Sequence, residues 1–163
     1  MGLIMLTDDI GVFMNTSEGI KKLEGFSEFG LDSGAQSYIR KYFSEKQKSV
    51  DITESLPEIS YAFDRMTENR VHNELSCIAD QGLIGKDAVK EFVFVDFSKG
   101  VGRHPALMQS FVVKSSERFG KDGFLTYSGK LIAKDKLKNG HFILNDDLKS
   151  GEFIAERGGI LCD

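Results

Sequence analysis

The chain has 163 residues and a mass of 18.2 kDa, with 40% hydrophobic and 28% charged residues, which suits one domain with a real core. A net charge of -4 and a pI near 5.4 argue against a protein that clamps nucleic acid, because phosphate binding needs a clustered Lys/Arg surplus. They leave open a wall that DNA slides past. The two cysteines, Cys77 and Cys162, fit no metal spacing and no disulfide framework, so synthesis in a reducing cytoplasm is expected. Residues 1–5 are apolar, but Asp8 and Asp9 interrupt them, and neither a signal peptide nor a membrane span is expected.

In chain order, residues 2–6 read as a short strand. Residues 10–25 carry Val12, Phe13, Ile20 and Leu23 without a clean period and read as an arm. A single domain over 1–163 is expected, with 1–24 as its N-terminal arm and 145–163 as its C-terminal tail. The run GFSEFGLDSG at 25–34 is turn-rich. It delivers the chain to the stretch that stands out, residues 36–65, where two extended segments face each other across a polar bend. The first arm, 37–52, is rich in β-branched and aromatic residues. In the second, 58–64, Ile59, Tyr61 and Phe63 alternate with Ser60, Ala62 and Asp64, the period of a half-buried strand. An arm of about 16 residues spans roughly 50 Å, far beyond the usual strand of about 5 or 6. A domain of this size is not expected to cover it. Both parities of the first arm are mixed: Ile39 and Phe43 sit with Lys41 and Glu45, and Tyr38 and Tyr42 with Arg40 and Lys46. Pro57 belongs near the start of the second arm, which puts the bend within 53–56.

Beyond Arg65 the period changes. The run NRVHNELSCIAD at 69–80 places Val71, Leu75, Ile78 and Ala79 on one helical stripe, with Asn69 as N-cap and Gly82 as the stop. A turn at 85–87 leads into AVKEFVFVDF, 88–97, a well-buried strand. Further strands are expected at 106–113, 124–133 and 141–144, with a polar link before Gly120 and a turn at Asn139-Gly140. The tail at 145–163 reads as a terminal strand or an arm. Strands without βαβ alternation give a mainly β (α+β) fold: an antiparallel β-sandwich or partial barrel with one flanking helix and a long hairpin.

No catalytic constellation emerges. His72, His104 and His141 share no metal-ligand spacing, and His72 beside Val71 on a helix is more often a partly buried polar residue than a ligand. Asp8-Asp9 and Asp146-Asp147 are adjacent carboxylates, which strands point to opposite faces. NDDLKSG at 145–151 lacks the alternating ligands of a calcium loop. Gly100-Val101-Gly102 and Gly158-Gly159 lack the spacing of a phosphate-binding loop. No cofactor is expected. Tyr38-Arg40-Tyr42 is the one aromatic-basic interleaving, a weak signal for nucleic acid at this net charge.

Residues 34–79 with 85–97 resemble the tail tube proteins of bacteriophages and phage-like bacteriocins, notably those of Gram-positive hosts. The resemblance is carried by Tyr38-Ile39, Lys41-Tyr42, Glu45, the bend from Asp51-Ile52-Thr53 to Pro57, Ile59-Ser60-Tyr61, Phe63-Asp64, Val71-His72, Gly85-Lys86-Asp87-Ala88 and Val95-Asp96. Tyr127-Ser128-Gly129 with Gly140 and Phe142 is similar to the last hairpin of such proteins. The resemblance implies a non-enzymatic structural subunit whose rings of six copies stack, with the long hairpins joined into a barrel that lines a channel for DNA. It implies sheath, tape measure, initiator or terminator proteins as partners, no membrane, and a place in a virion tail or phage-like particle assembled in the host cytoplasm. A headless bacteriocin or contractile injection tube would use the same fold. A monomeric ligand-binding β-barrel or a hydrolase is the rival of another class. The positions expected at the subunit contact or lumen are Tyr38, Arg40, Lys41, Tyr42, Phe43, Glu45, Lys46, Lys48, Ile59, Tyr61 and Phe63. Residues 36–65 hold five basic and five acidic residues, so charge does not decide which parity faces the lumen.

Overall fold

A computed structural model of the chain describes residues 10–29, 58–121, 123–134 and 138–155. Its elements are β1 (Ile10–Thr16), β2 (Gly19–Lys22), β3 (Phe26–Phe29), β4 (Glu58–Asp64), α1 (Arg70–Gln81), a 3-10 turn (Gly85–Ala88), β5 (Val89–Asp96), β6 (His104–Lys121), β7 (Phe124–Ala133), β8 (Lys138–Leu144) and β9 (Ser150–Ala155). Every strand pairing among the described residues is antiparallel, and the order in the sheet is β3-β4-β7-β6-β5-β1-β2-β9-β8. An additional β6–β8 pairing closes the last six strands of that order into a barrel. The chain is therefore mainly β, with one α-helix among the described residues.

The 18-residue β6 makes this geometry possible. At about 3.3 Å per residue it runs roughly 60 Å, long enough to serve two sheets. Its first residues, His104–Met108, pair with β8 and close the barrel. Residues 111–121 pair with β7 instead, so β7, β4 and β3 extend from β6 as a flange outside the barrel. A bulge between Ser115 and Glu117 bends β6 in the flange.

Two apolar clusters follow from this arrangement. The barrel interior is packed with Phe13, Val93, Val95, Ala106, Met108 and Phe142. A larger cluster joins α1, through Val71, Leu75 and Ile78, to the inner face of the flange and the outer face of the barrel strands. β5 is buried on both faces for this reason: Val93 and Val95 face the barrel interior, Phe92 and Phe94 the helix side.

Helix α1 forms where the apolar stripe predicts it. Asn69 caps it by accepting from the His72 backbone N–H, and Gly82 ends it at φ 60° in the left-handed region. The boundaries of β5 and β7 also match the expected strands to within a residue.

Other expectations are corrected. Residues 10–25 are not an arm: β1 and β2 form a hairpin in the barrel wall, and Phe13 and Met14 are fully buried. Both faces of β1 are covered, which erases the period. Within the turn-rich run, Phe26–Phe29 is a strand. The polar link after Val113 is the continuation of β6, and Lys114, Ser115, Ser116 and Gly120 within it are exposed. Asn139 and Gly140 lie within β8, where a side chain at Gly140 would collide with the Ile154 carbonyl and the Phe153 ring. The tail contains β9, which pairs with both β8 and β2. The expected strand at 2–6 and residues 156–163 lie outside the described residues.

Candidate assembly surface

The second arm of the expected hairpin is β4 itself, with the predicted bounds and alternation. Ile59, Tyr61 and Phe63 point into the chain's own core and are at most 2% exposed. Their side chains therefore face neither a lumen nor a neighbouring copy. Phe63 stacks on His72 with ring centroids 4.3 Å apart and on Tyr127 at 5.5 Å. The Tyr61 hydroxyl lies over Gly129, the residue opposite it on β7. Burial raises the pKa of Tyr61, opposed by a hydrogen bond with Ser115.

Across β4 runs a different strip. Glu58, Ser60, Ala62 and Asp64 share their face with Ile132, Lys130, Ser128 and Thr126 of β7. Lys114 of β6, opposite Lys130, and Glu28 of β3, opposite Ala62, extend the strip on either side. It is polar and open: the Lys130 Nζ lies 3.8 Å from Glu58 Oε1, and Thr126 Oγ1 donates to Asp64 Oδ1 over 2.6 Å. The flange thus has an apolar face backed by α1 and a wet face of small, hydroxylated and charged side chains.

Both lateral edges of the flange end in open ladders among the described residues. β3 is the terminal strand of the sheet, and its ladder with β4 covers only Tyr61, Ala62 and Phe63. That position on β4 was expected to pair with the first arm, and over these residues it pairs with Phe26–Phe29 instead. On the opposite side, β5 follows β6 as far as the Val89–Val112 pair, and residues 113–121 have no further strand on that edge. The chain leaves the flange at its β3 edge and returns through β4, so the long stretch 30–57 starts and finishes there. Tyr38, Arg40, Lys41, Tyr42, Phe43, Glu45, Lys46 and Lys48 fall within that stretch and lie outside the described residues.

The remaining candidates for chemistry have structural roles. His72 is fully buried; its Nδ1 accepts from the Met66 N–H over 3.1 Å, so Nε2 carries the proton and donates to the Glu24 carbonyl over 2.8 Å. Burial lowers its pKa, opposed by the Glu24 carbonyl and reinforced by Arg65. His104 Nδ1 lies 2.8 Å from the Lys99 carbonyl within the β5–β6 loop. In NDDLKSG, Asp147 Oδ1 accepts from the Lys149 and Ser150 N–H groups and closes the β8–β9 turn. An open groove of about 640 Å³ beside the start of α1 mixes Lys21, Lys22, Arg70 and Lys149 with Glu18, Glu24, Glu68 and Asp147, so neither sign of charge dominates it. No group of three or more His, Cys, Asp or Glu residues among those described is placed to hold a metal ion. No described helix is long and apolar enough to cross a membrane.

The outer strip of β6 and β7 lies outside residues 36–65, where the sequence places the expected contact. The signal was present in TYSGKLIA, where Thr126, Ser128 and Lys130 alternate with Tyr127, Gly129 and Leu131. Comparison of the chain with protein-family models and with curated proteins finds no match.

Proposed function

We propose that this protein is the structural subunit of a phage or phage-like tail tube, self-assembling edge to edge into rings of six that stack around a channel. The observation that carries the reading is the flange: four antiparallel strands, helix-backed on one face, polar on the other, with an open ladder at each edge among the described residues. Open edges attract other chains, and closing a ring satisfies them. An even number of strands lets the up-down alternation continue across the boundary between copies, so β6 of one copy meets β3 of the next antiparallel. Such a contact joins two different surfaces, and repeating it gives a ring when the rotation between copies closes, at one sixth of a turn for six.

In that ring α1 and the small barrel lie outside, and the strip of Ser60, Ala62, Asp64, Thr126, Ser128 and Lys130 lines the lumen. Its mixed charge, on a chain of net charge -4, offers a passing phosphate backbone no cationic track to bind. The sequence resemblance of residues 34–79 and 85–97 to tail tube proteins supports the same reading. The same subunit would serve a headless bacteriocin or contractile injection particle. The packing of Phe13, Phe142 and Met108 inside the small barrel argues against a monomeric ligand-binding barrel.

Negative-stain microscopy of concentrated protein, with light scattering beside it, is the direct test. Rings or tubes are expected, with a tail initiator added if nucleation is slow; monomers alone under all salt and concentration conditions would sink the reading. A Phe43→Pro chain asks whether the first arm joins the ring, since proline removes a ladder donor. Loss of assembly with an unchanged melting curve places 37–52 in the contact, and unchanged tubes place it elsewhere.

A further inference from the structure

Each edge strand of the flange carries an exposed charge on the polar face, Lys114 on β6 and Glu28 on β3. Lys114 projects from β6 on the polar side, its neighbour Val113 being buried on the other. Directly across the ladder stands Lys130, a like charge that already has Glu58 beside it. Like charges facing each other on adjacent strands are unfavourable, and Lys114 has no ion-pair partner among the described residues. Glu28 is the counterpart on β3: exposed, opposite the uncharged Ala62, and likewise without an ion-pair partner among the described residues.

We infer that Lys114 on the β6 edge of one copy pairs with Glu28 on the β3 edge of the next, and that this pair fixes the register in which copies join. The inference rests on the tube reading and names its contact. Within one copy, Glu28 is level with Ala62, Ser128 and Glu117, while Lys114 is level with Lys130 and Ser60. Unstaggered joining would set two acidic positions, 28 and 117, level with each other. Closing strands into a barrel requires tilt and therefore stagger. A shift of two ladder steps between copies brings Glu28 opposite Lys114 and keeps every polar position on the lumen side, because an even shift preserves the face. Charge then favours the staggered register over the flat one.

The test is charge reversal in the full chain, read as the concentration at which rings or tubes form. Lys114→Glu alone and Glu28→Lys alone are each expected to raise that concentration roughly tenfold or more, by turning attraction into repulsion at every contact. The double variant K114E/E28K is expected to assemble near the wild-type concentration. Mixing the two single variants is the sharper arm, because alternation around an even-membered ring again joins an acid to a base at every contact. Unchanged circular dichroism melting shows that the singles fold, and Lys114→Gln with Glu28→Gln provide a milder second pair with intermediate losses. Wild-type tubes with unimpaired single reversals, or impaired singles that neither the double variant nor the mixture rescues, overturn the pairing and leave the tube reading standing. A wild-type chain that never assembles removes both.

Discussion

The Glu74 carboxylate accepts a hydrogen bond from Lys90 Nζ over 2.7 Å and thereby ties α1 to β5. Its other oxygen accepts from Arg70 Nε at 3.0 Å and from the Ser17 backbone N–H at 2.9 Å, so the β1–β2 turn is held as well. Burial disfavours the charged carboxylate, but these donors outweigh it and lower the pKa from 4.5 to about 2. A depressed carboxylate pKa contributes stability that is complete above pH 4.5 and is lost as pH falls through about 2. The full shift corresponds to about 3 kcal/mol, reduced to roughly 1–2 kcal/mol by solvent around the partly exposed Arg70. Glu74→Gln is therefore expected to lower stability by that amount at pH 7, with the two denaturation midpoints converging as pH approaches 2. Parallel curves across that range would show that the ion-pair network contributes nothing.

Gly129 answers to a different constraint. A Cβ there would meet the Lys114 carbonyl, the Tyr61 hydroxyl at 2.8 Å and the Ser115 Cα at 2.9 Å, and the backbone atoms among these cannot move aside. Gly129→Ala is expected to destabilise the domain by about 1–3 kcal/mol through overpacking. Ser128→Ala, one residue along and on the polar face, is expected to stay within about 0.5 kcal/mol. Urea titration of the two variants checks the contrast; equal losses would mean that the polar face of the flange is covered within the monomer.

The parts of the fold that were legible in the sequence are those where one face is dry and the other wet. β4, β7 and α1 each pack one side and leave the other in solvent, so their periods of 2 and 3.6 are visible. β1 hides because both of its faces are covered, Phe13 by the barrel and Met14 by the helix side. The far half of β6 hides for the opposite reason: Lys114, Ser115 and Ser116 are all exposed, and polar runs of that kind read as loop. Gly140 reads as a turn residue because a glycine needed for close approach to Phe153 looks the same in sequence as a glycine needed for a turn. The open edges of the flange shared this fate, since they are defined by what lies beyond Val112 and beyond Phe29, which is pairing information that no local pattern carries.

The ends of α1 can be tested separately from its apolar stripe. Asn69 satisfies the His72 N–H through Oδ1 and donates from Nδ2 to the Glu24 carbonyl at 3.3 Å, joining the helix start to the residue before Gly25. Asn69→Ala is expected to cost about 0.5–2 kcal/mol. Gly82→Ala forces a Cβ into the left-handed region with no compensating contact and is expected to cost about 1 kcal/mol. The two sites share no partner, so the double variant should lose the sum of the single losses. A double variant no worse than Asn69→Ala alone would indicate that the last turn of α1 is already frayed.

His72 sets a second acid-sensitive step, above that of Glu74. Its ring is sandwiched against Phe63 and edge-on to Phe26, with both nitrogens engaged: Nδ1 must stay an acceptor for the Met66 N–H, and protonation would turn it into a donor facing a donor. The folded-state pKa is accordingly below 6.5, chiefly because of burial. The unfolded chain then binds the proton first as pH falls below 6.5, so stability is full above that value and declines beneath it until the folded-state pKa is reached. Denaturation midpoints are expected to begin falling near pH 6.5 in the wild type and to stay flat from there to about 5 in His72→Gln, even though the variant is less stable throughout. Long-range proton–nitrogen NMR is expected to report the Nε2–H tautomer of His72 at pH 7. A charged imidazolium at that pH would overturn the assignment and require an acid acceptor beside Nδ1.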